Sequence, residues 1–174
     1  MTVDQYRSLI REVPDFPRPG ILFYDITTLL KDPAAFAAIA DELTVYYEGQ
    51  NITKVVGIES RGFIYGGTLA QRLKAGFVPV RKPGKLPAAI YEVNYQLEYG
   101  SNSLAIHRDA ISKGERVLIV DDLLATGGTA VATIELIRQL GGEIAGLDFL
   151  VELKSLNGRD KLTGYPVHST ILYP

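Results

Sequence analysis

The chain has 174 residues, 47% of them hydrophobic and 22% charged, and a formal charge of −2. That is the balance of a packed globular protein, and it leaves no general basic field for nucleic acid. The absence of cysteine excludes a disulfide scaffold, a cysteine metal site and a cysteine nucleophile.

No apolar run approaches the ~20 residues that span a bilayer, and the charged start MTVDQYRSLIREV lacks the pattern of a signal peptide. The expectation is one cytoplasmic domain over residues 1–174, with no membrane partner. In chain order, Tyr6, Leu9, Ile10 and Val13 recur at helical spacing, which predicts an amphipathic helix over 4–13 with Asp4 able to cap it. PDFPRPG follows, three prolines and a glycine within seven residues, and must be a shaped loop. Asp32-Pro33 opens a helix that runs to about Glu48, with proline in its first turn. KVVGI reads as a short buried strand, ESRG as the turn after it, and the apolar stretch through Leu73 as a helix ended by Ala75-Gly76.

FVPVR is the next strand and KPGKLP a break. Residues 88–107, rich in tyrosine and β-branched residues around a turn-like YGSNS, read as an antiparallel hairpin or excursion, partly mobile. RVLIV is the strongest strand. A helix over 127–140 is stopped by Gly141-Gly142. EIAGLDFLVEL is a strand, Asn157 to Leu162 a short helical turn, and VHSTILY a last strand. Strands alternating with helices predict an α/β fold with a mainly parallel central sheet flanked by helices. Such sheets collect ligands at the carboxyl ends of their strands. ESRG, RKPGK and DDLLATGGT all fall there, which favours one site built from three loops.

The segment VLIVDDLLATGGT carries the most chemistry. In TGGT, glycines let backbone N–H groups approach an anion, the following helix start favours negative charge, and Thr126 and Thr129 add hydroxyls. Ala125 to Thr129, with Gly127 and Gly128, thus form a candidate phosphate cradle that lacks the lysine of a Walker loop. Asp121 and Asp122 would repel that phosphate, and suit hydroxyl donors or a divalent cation. A ribose 5-phosphate fits the whole: diol on the carboxylates, phosphate in the turn. Taken singly, the acid pair is a solvated strand end and the glycines a capping loop; the ligand reading rests on their order.

VLIVDDLLATGGT resembles the phosphoribosyl-pyrophosphate motif of the type I phosphoribosyltransferase family. VPDFPRPGILFYDIT, ESRGF, RKPGKLP and LEYG, in that order, resemble its adenine-using members over nearly the whole chain. One departure is Thr28, where relatives commonly have proline in DITPLL, a change expected to affect loop stiffness more than chemistry. Oxopurine-using members commonly carry an aspartate four residues after the first acid, where this chain has Ala125; that speaks against hypoxanthine and guanine without selecting adenine.

The resemblance implies a type I phosphoribosyltransferase-like fold with a small N-terminal hood, mainly residues 14–30, and a flexible catalytic loop over about 88–107. It implies transfer of ribose 5-phosphate from 5-phosphoribosyl 1-pyrophosphate to adenine, giving AMP and pyrophosphate in purine salvage. It assigns pyrophosphate to Ser60, Arg61, Arg81, Lys82 and Lys85, and adenine to Leu22, Phe23, Tyr24 and Asp25, with Asp25 either holding the loop or touching the base. Glu98 and Arg61 are the catalytic candidates, and Tyr99 helps close the lid. It also implies Mg2+ held mainly through substrate, with Asp121 or Asp122 acting through water, a homodimer with shared sites, and a cis peptide at Glu59–Ser60.

Arg81, Lys82 and Lys85, three cations within five residues and unpaired by nearby acids, suit a polyphosphate. The alternatives are a surface ion pair for Arg61, a solvated basic loop for Arg81, Lys82 and Lys85, an exposed hairpin tip for Glu98 and core packing for Phe23. His107 and His168 lack metal-ligand spacing and read as structural or exposed. Two other readings stay open: a xanthine or guanine phosphoribosyltransferase, and a sensor that binds the donor without catalysis. Such sensors carry a separate DNA-binding domain, for which this chain has no room.

Overall fold

The computed structural model describes residues 1–96 and 101–174. The chain divides into two compact units, Met1–Tyr46 and Tyr47–Pro174.

The first unit opens with helix α1 (Val3–Leu9), capped by Thr2 in a capping box with Gln5. Thr2 therefore takes the role expected of Asp4, and the helix is shorter than its apolar spacing suggests. Ile10 turns extended, and Arg11–Pro14 becomes strand β1, antiparallel to β2 (Leu22–Asp25). Val13, expected on the helix, pairs with Phe23 instead. Periodicity along the chain carries no information about that partner, and strand pairing overrides local propensity. Helix α2 (Thr27–Leu30) and helix α3 (Pro33–Tyr47) follow. Asp32 accepts a hydrogen bond from the Ala35 amide at 2.9 Å, so Asp32-Pro33 starts α3 as expected.

The second unit is built on a five-stranded sheet of order β4-β3-β7-β8-β9, with every pairing parallel. Its strands are β3 (Lys54–Ile58), β4 (Gly76–Val80), β7 (Arg116–Leu124), β8 (Glu143–Leu153) and β9 (Val167–Tyr173). Helix α4 (Gly62–Arg72) links β3 to β4, and α5 (Gly128–Leu140) links β7 to β8. Val55, Val56 and Ile58, like Val117 to Val120, are buried as continuous runs, as expected of strands covered on both faces. Each such side chain stabilises the fold by about 1.5–3 kcal/mol relative to exposure. The expected α/β fold with a mainly parallel sheet is thus observed.

A separate hairpin, β5 (Ile90–Gln96) and β6 (Ser101–His107), pairs in unbroken register from Ile90↔His107 to Gln96↔Ser101. Ser101 to Ser103 accordingly belong to a strand rather than to the expected YGSNS turn. Two short 3-10 turns, Lys154–Leu156 and Gly158–Leu162, lie between β8 and β9. His168 has a structural partner: its Nδ1 lies 2.8 Å from Oδ2 of buried Asp148, which also accepts from the Tyr47 hydroxyl at 2.8 Å.

Candidate active site

Strand β3 ends at Ile58, and the chain turns through a cis peptide at Glu59–Ser60 into α4. Gly62 starts that helix. A Cβ there would lie 2.8 Å from Val120 O and 2.9 Å from Asp121 Oδ1. Glycine is what allows the first turn of α4 to sit against β7. Strand β7 does not stop at Val120 as expected, but carries both aspartates and ends at Leu124.

A cavity of about 320 Å³ is lined by Glu59, Ser60, Arg61, Lys82, Tyr95, Leu104, Asp121, Asp122 and Thr129. The three strand-end loops therefore meet, as the sequence suggested. Asp121 and Asp122 are only 9% and 8% exposed. Asp122 Oδ2 accepts from Arg61 Nε at 2.5 Å. Asp121 Oδ1 accepts from the Asp122 amide at 2.9 Å. Burial, and then the neighbouring Asp122 charge, push the Asp121 carboxyl well above the ordinary carboxylate range. Two buried acids held this close, with Arg61 paired to one of them, are a costly arrangement of the kind found in binding sites.

Beside it is a smaller cavity of about 50 Å³, lined by Asp121, Phe149 and the continuous run from Leu123 to Ala130. It contains all of Ala125, Thr126, Gly127, Gly128 and Thr129. Gly127 takes the left-handed conformation, φ 78°, at the start of α5, which an L side chain adopts at a cost. Asp121 and Thr129 line both cavities. A ligand with an anionic end and a hydroxyl-bearing middle can occupy the two together.

The basic loop needs one correction. Arg81 is not unpaired: its Nε and Nη2 each donate to the Glu59 carboxylate at 3.2 Å. The acid lies 22 residues earlier in the chain, beyond the local window in which the three cations looked uncompensated. Lys82 lines the larger cavity. Lys85 is exposed, and its carbonyl accepts from Arg81 Nη1 at 3.2 Å.

In the first unit, the 15–21 connection between β1 and β2 is held by the Asp15 carboxylate, which accepts from the Gly20 amide at 2.7 Å. Phe23 is not a core residue. It is half-buried and meets the exposed ring of Phe16 edge-on, 5.1 Å between centroids. Leu22 is exposed, and Tyr24 is half-buried. Asp25 holds its loop: it accepts from the Thr27 amide at 2.9 Å and from Arg11 Nη2 at 2.6 Å. Hydrogen bonds from Thr27 and then Arg11 bring its carboxyl down to about 2. Thr28 does more than change stiffness. Its hydroxyl accepts from the Arg11 amide and donates to Asp25 O, both at 3.1 Å, which proline cannot do.

Glu98 and Tyr99 lie outside the described residues. Sequence reasoning missed Glu59, Tyr95 and Gly158. Tyr95 hydroxyl lies 3.4 Å from Thr129 Oγ1. Glu59 sat inside the quoted ESRG but gave no signal apart from its neighbours. Among the described residues, no group of three or more His, Cys, Asp or Glu side chains is placed to hold a metal ion. No helix among them is long and apolar enough to cross a membrane.

A parallel sheet whose strand-end loops join a buried acid pair to a glycine phosphate turn defines the phosphoribosyltransferase class. The family described as "Phosphoribosyl transferase domain" matches residues 25–168. An adenine phosphoribosyltransferase of Acidobacterium capsulatum is 62% identical over 167 residues, 96% of this chain and 92% of that one. The crystal structure of adenine phosphoribosyltransferase from Thermoanaerobacter pseudethanolicus superposes with a TM-score of 0.96 at 50% identity, covering 99% of this chain and 100% of the other. The Saccharomyces cerevisiae adenine phosphoribosyltransferase, solved with an imino-altritol bisphosphate and adenine, gives 0.92 at 40% identity over 97% and 98%. The chain belongs to the adenine phosphoribosyltransferase family. It is a pentosyltransferase of adenine salvage, forming AMP from 5-phosphoribosyl 1-pyrophosphate.

Proposed function

We propose that the two joined cavities hold 5-phosphoribosyl 1-pyrophosphate, with each part of the donor on its own group of residues. The 5′-phosphate takes the backbone amides and hydroxyls of Ala125 to Thr129. The ribose diol takes Asp121 and Asp122. The pyrophosphate takes Ser60, Arg61 and Lys82 in the cavity, with Arg81 and Lys85 beside it. The strongest support is the position of Asp121 and Thr129 on both cavities, since a ribose 5-phosphate needs acceptors for its hydroxyls directly next to an anion cradle.

Adenine recognition is assigned to Leu22, Phe23, Tyr24 and Asp25 of the first unit. Phe23 offers a ring face to a flat apolar base, backbone groups of Leu22 and Tyr24 read its edge, and Asp25 keeps that strand in shape. In the reaction, N9 of adenine attacks C1 of the ribose, the bond from C1 to the pyrophosphate oxygen breaks, and N9 gives up its proton. Arg61 and Lys82 stabilise charge gathering on the leaving group. Glu98 handles the purine proton, and Tyr99 shields the site from water. Asp121 or Asp122 would hold magnesium through water, mainly with the donor's own oxygens, and the ion would supply neutralisation of the donor's charge.

A homodimer with shared sites is part of this reading, checked by sedimentation velocity. So is a cytoplasmic location, where a donor of such charge is retained by the membrane. The test of the whole is turnover with magnesium and the donor, offering adenine, hypoxanthine, guanine and xanthine in parallel. Fast AMP formation with little oxopurine product supports it. Donor binding with no transfer to any purine would favour a sensor instead.

A further inference from the structure

Glu59 has no assigned role, yet it lines the larger cavity with its carboxylate held by three hydrogen bonds. Its carboxylate receives Arg81 Nε and Nη2 at 3.2 Å each and the Lys82 amide at 3.0 Å. Its own amide donates to Val80 O at 2.9 Å. Arg81 passes the connection on in two directions. Its Nη1 donates to Lys85 O at 3.2 Å, closing the Pro-Gly turn on itself. Its backbone exchanges two hydrogen bonds with Ala105, Arg81 N to Ala105 O at 3.0 Å and Ala105 N to Arg81 O at 2.7 Å. Ala105 lies on β6, beside the cavity-lining Leu104.

We infer that Glu59 is a positioning residue for the donor: it straps the basic loop and the root of the β5–β6 hairpin to the end of β3, so that Lys82 is held at the cavity. This rests on reading that cavity as the pyrophosphate site. The physical reason for an acid there is selectivity among the cations. A bidentate carboxylate satisfies one edge of the Arg81 guanidinium in a fixed geometry, so Arg81 acts as a strut. Lys82, one residue on, has its amide tied to the same carboxylate and lines the cavity. An acid in a polyphosphate site otherwise only repels the ligand. Its presence is explained if the order it imposes on the loop exceeds that cost. The Arg81 contact, followed by the Lys82 amide, holds the Glu59 carboxyl below the ordinary range, so the strap is charged at neutral pH.

The test is steady-state turnover of the full chain with each substrate varied in turn. Glu59→Gln is expected to raise KM for 5-phosphoribosyl 1-pyrophosphate about tenfold, while kcat and KM for adenine stay within about twofold. Arg81→Gln should also raise KM for the donor, and the double variant should be no worse than the poorer single, since the two act as one unit. An unchanged donor KM in folded Glu59→Gln, or losses that multiply in the double variant, overturns the inference. Should Glu59→Gln fail to fold, Glu59→Asp keeps the charge on a shorter stem. A selective rise in donor KM then supports the strap, and an equal change in every parameter contradicts it. Lys82→Ala separates this from the site reading. If it leaves donor KM unchanged, the pyrophosphate assignment fails; if it weakens the donor while Glu59→Gln does not, the strap alone fails.

Discussion

Gly127 and Gly158 pack backbone against backbone. A Cβ on Gly127 would lie 2.5 Å from Gly158 O, and one on Gly158 would lie 2.1 Å from Ala125 O. The Ala125–Gly127 turn is therefore shaped from behind by the 3-10 turn Gly158–Leu162. Neither glycine tolerates a side chain, and at Gly127 the left-handed backbone adds to the strain.

Gly158→Ala should therefore damage the donor site without touching any ligand. The methyl must push the Ala125–Gly127 backbone outward, costing about 1–3 kcal/mol of stability and raising KM for the donor more than KM for adenine. Thermal melts and kinetics together check this. Wild-type donor KM in a destabilised variant would show that the turn does not set the phosphate position.

Asp121→Asn should stabilise the unliganded protein and cripple it. A carboxyl whose folded pKa is raised above its ordinary 3.8 weakens the fold once pH exceeds that value, and the loss grows until pH passes the folded one. The amide removes the buried charge and can still accept from the Asp122 amide. A rise of about 2–4 °C in melting temperature at pH 7, the worth of 1 kcal/mol at this size, should accompany a fall of about 10–100-fold in kcat/KM for the donor. A lower melting temperature would mean that the ionised carboxylate is needed for folding.

Asp25→Asn tests the opposite sign. Asp25 is depressed to about 2 by Thr27 and Arg11, so its contribution is present above the ordinary 3.8 and is lost as pH falls toward 2. The variant should lose about 1 kcal/mol at pH 7, the scale of a partly solvated charged hydrogen bond. Urea unfolding across pH should show the gap between the two proteins closing below pH ~4. A gap of constant size down to pH 2 would rule out the ion pair as its source.

Much of this was legible in the sequence because the signals are local. KVVGI and VLIV announce buried parallel strands by continuous apolar runs, and Asp121 to Thr129 place acids, turn and helix in order within nine residues. Several of the losses were non-local. Arg81 looked unpaired because Glu59 lies on another strand end. The helix expected over 4–13 stops at Leu9 because β2 supplies partners that no spacing predicts. Gly158, in a short polar turn, shows its importance only when the Ala125 carbonyl is seen against it. Thr28 in place of proline looked like a change in stiffness, and its hydroxyl proves to bridge Arg11 and Asp25 O.

The most direct measurement is a crystal structure of the full chain with 5-phosphoribosyl 1-pyrophosphate, magnesium and an unreactive adenine analogue. The 5′-phosphate is expected on the amides of Ala125 to Thr129, the ribose hydroxyls on Asp121 and Asp122, the pyrophosphate against Arg61 and Lys82, and the base stacked on Phe23. A 5′-phosphate bound at Lys82, with the glycine turn empty, would contradict it.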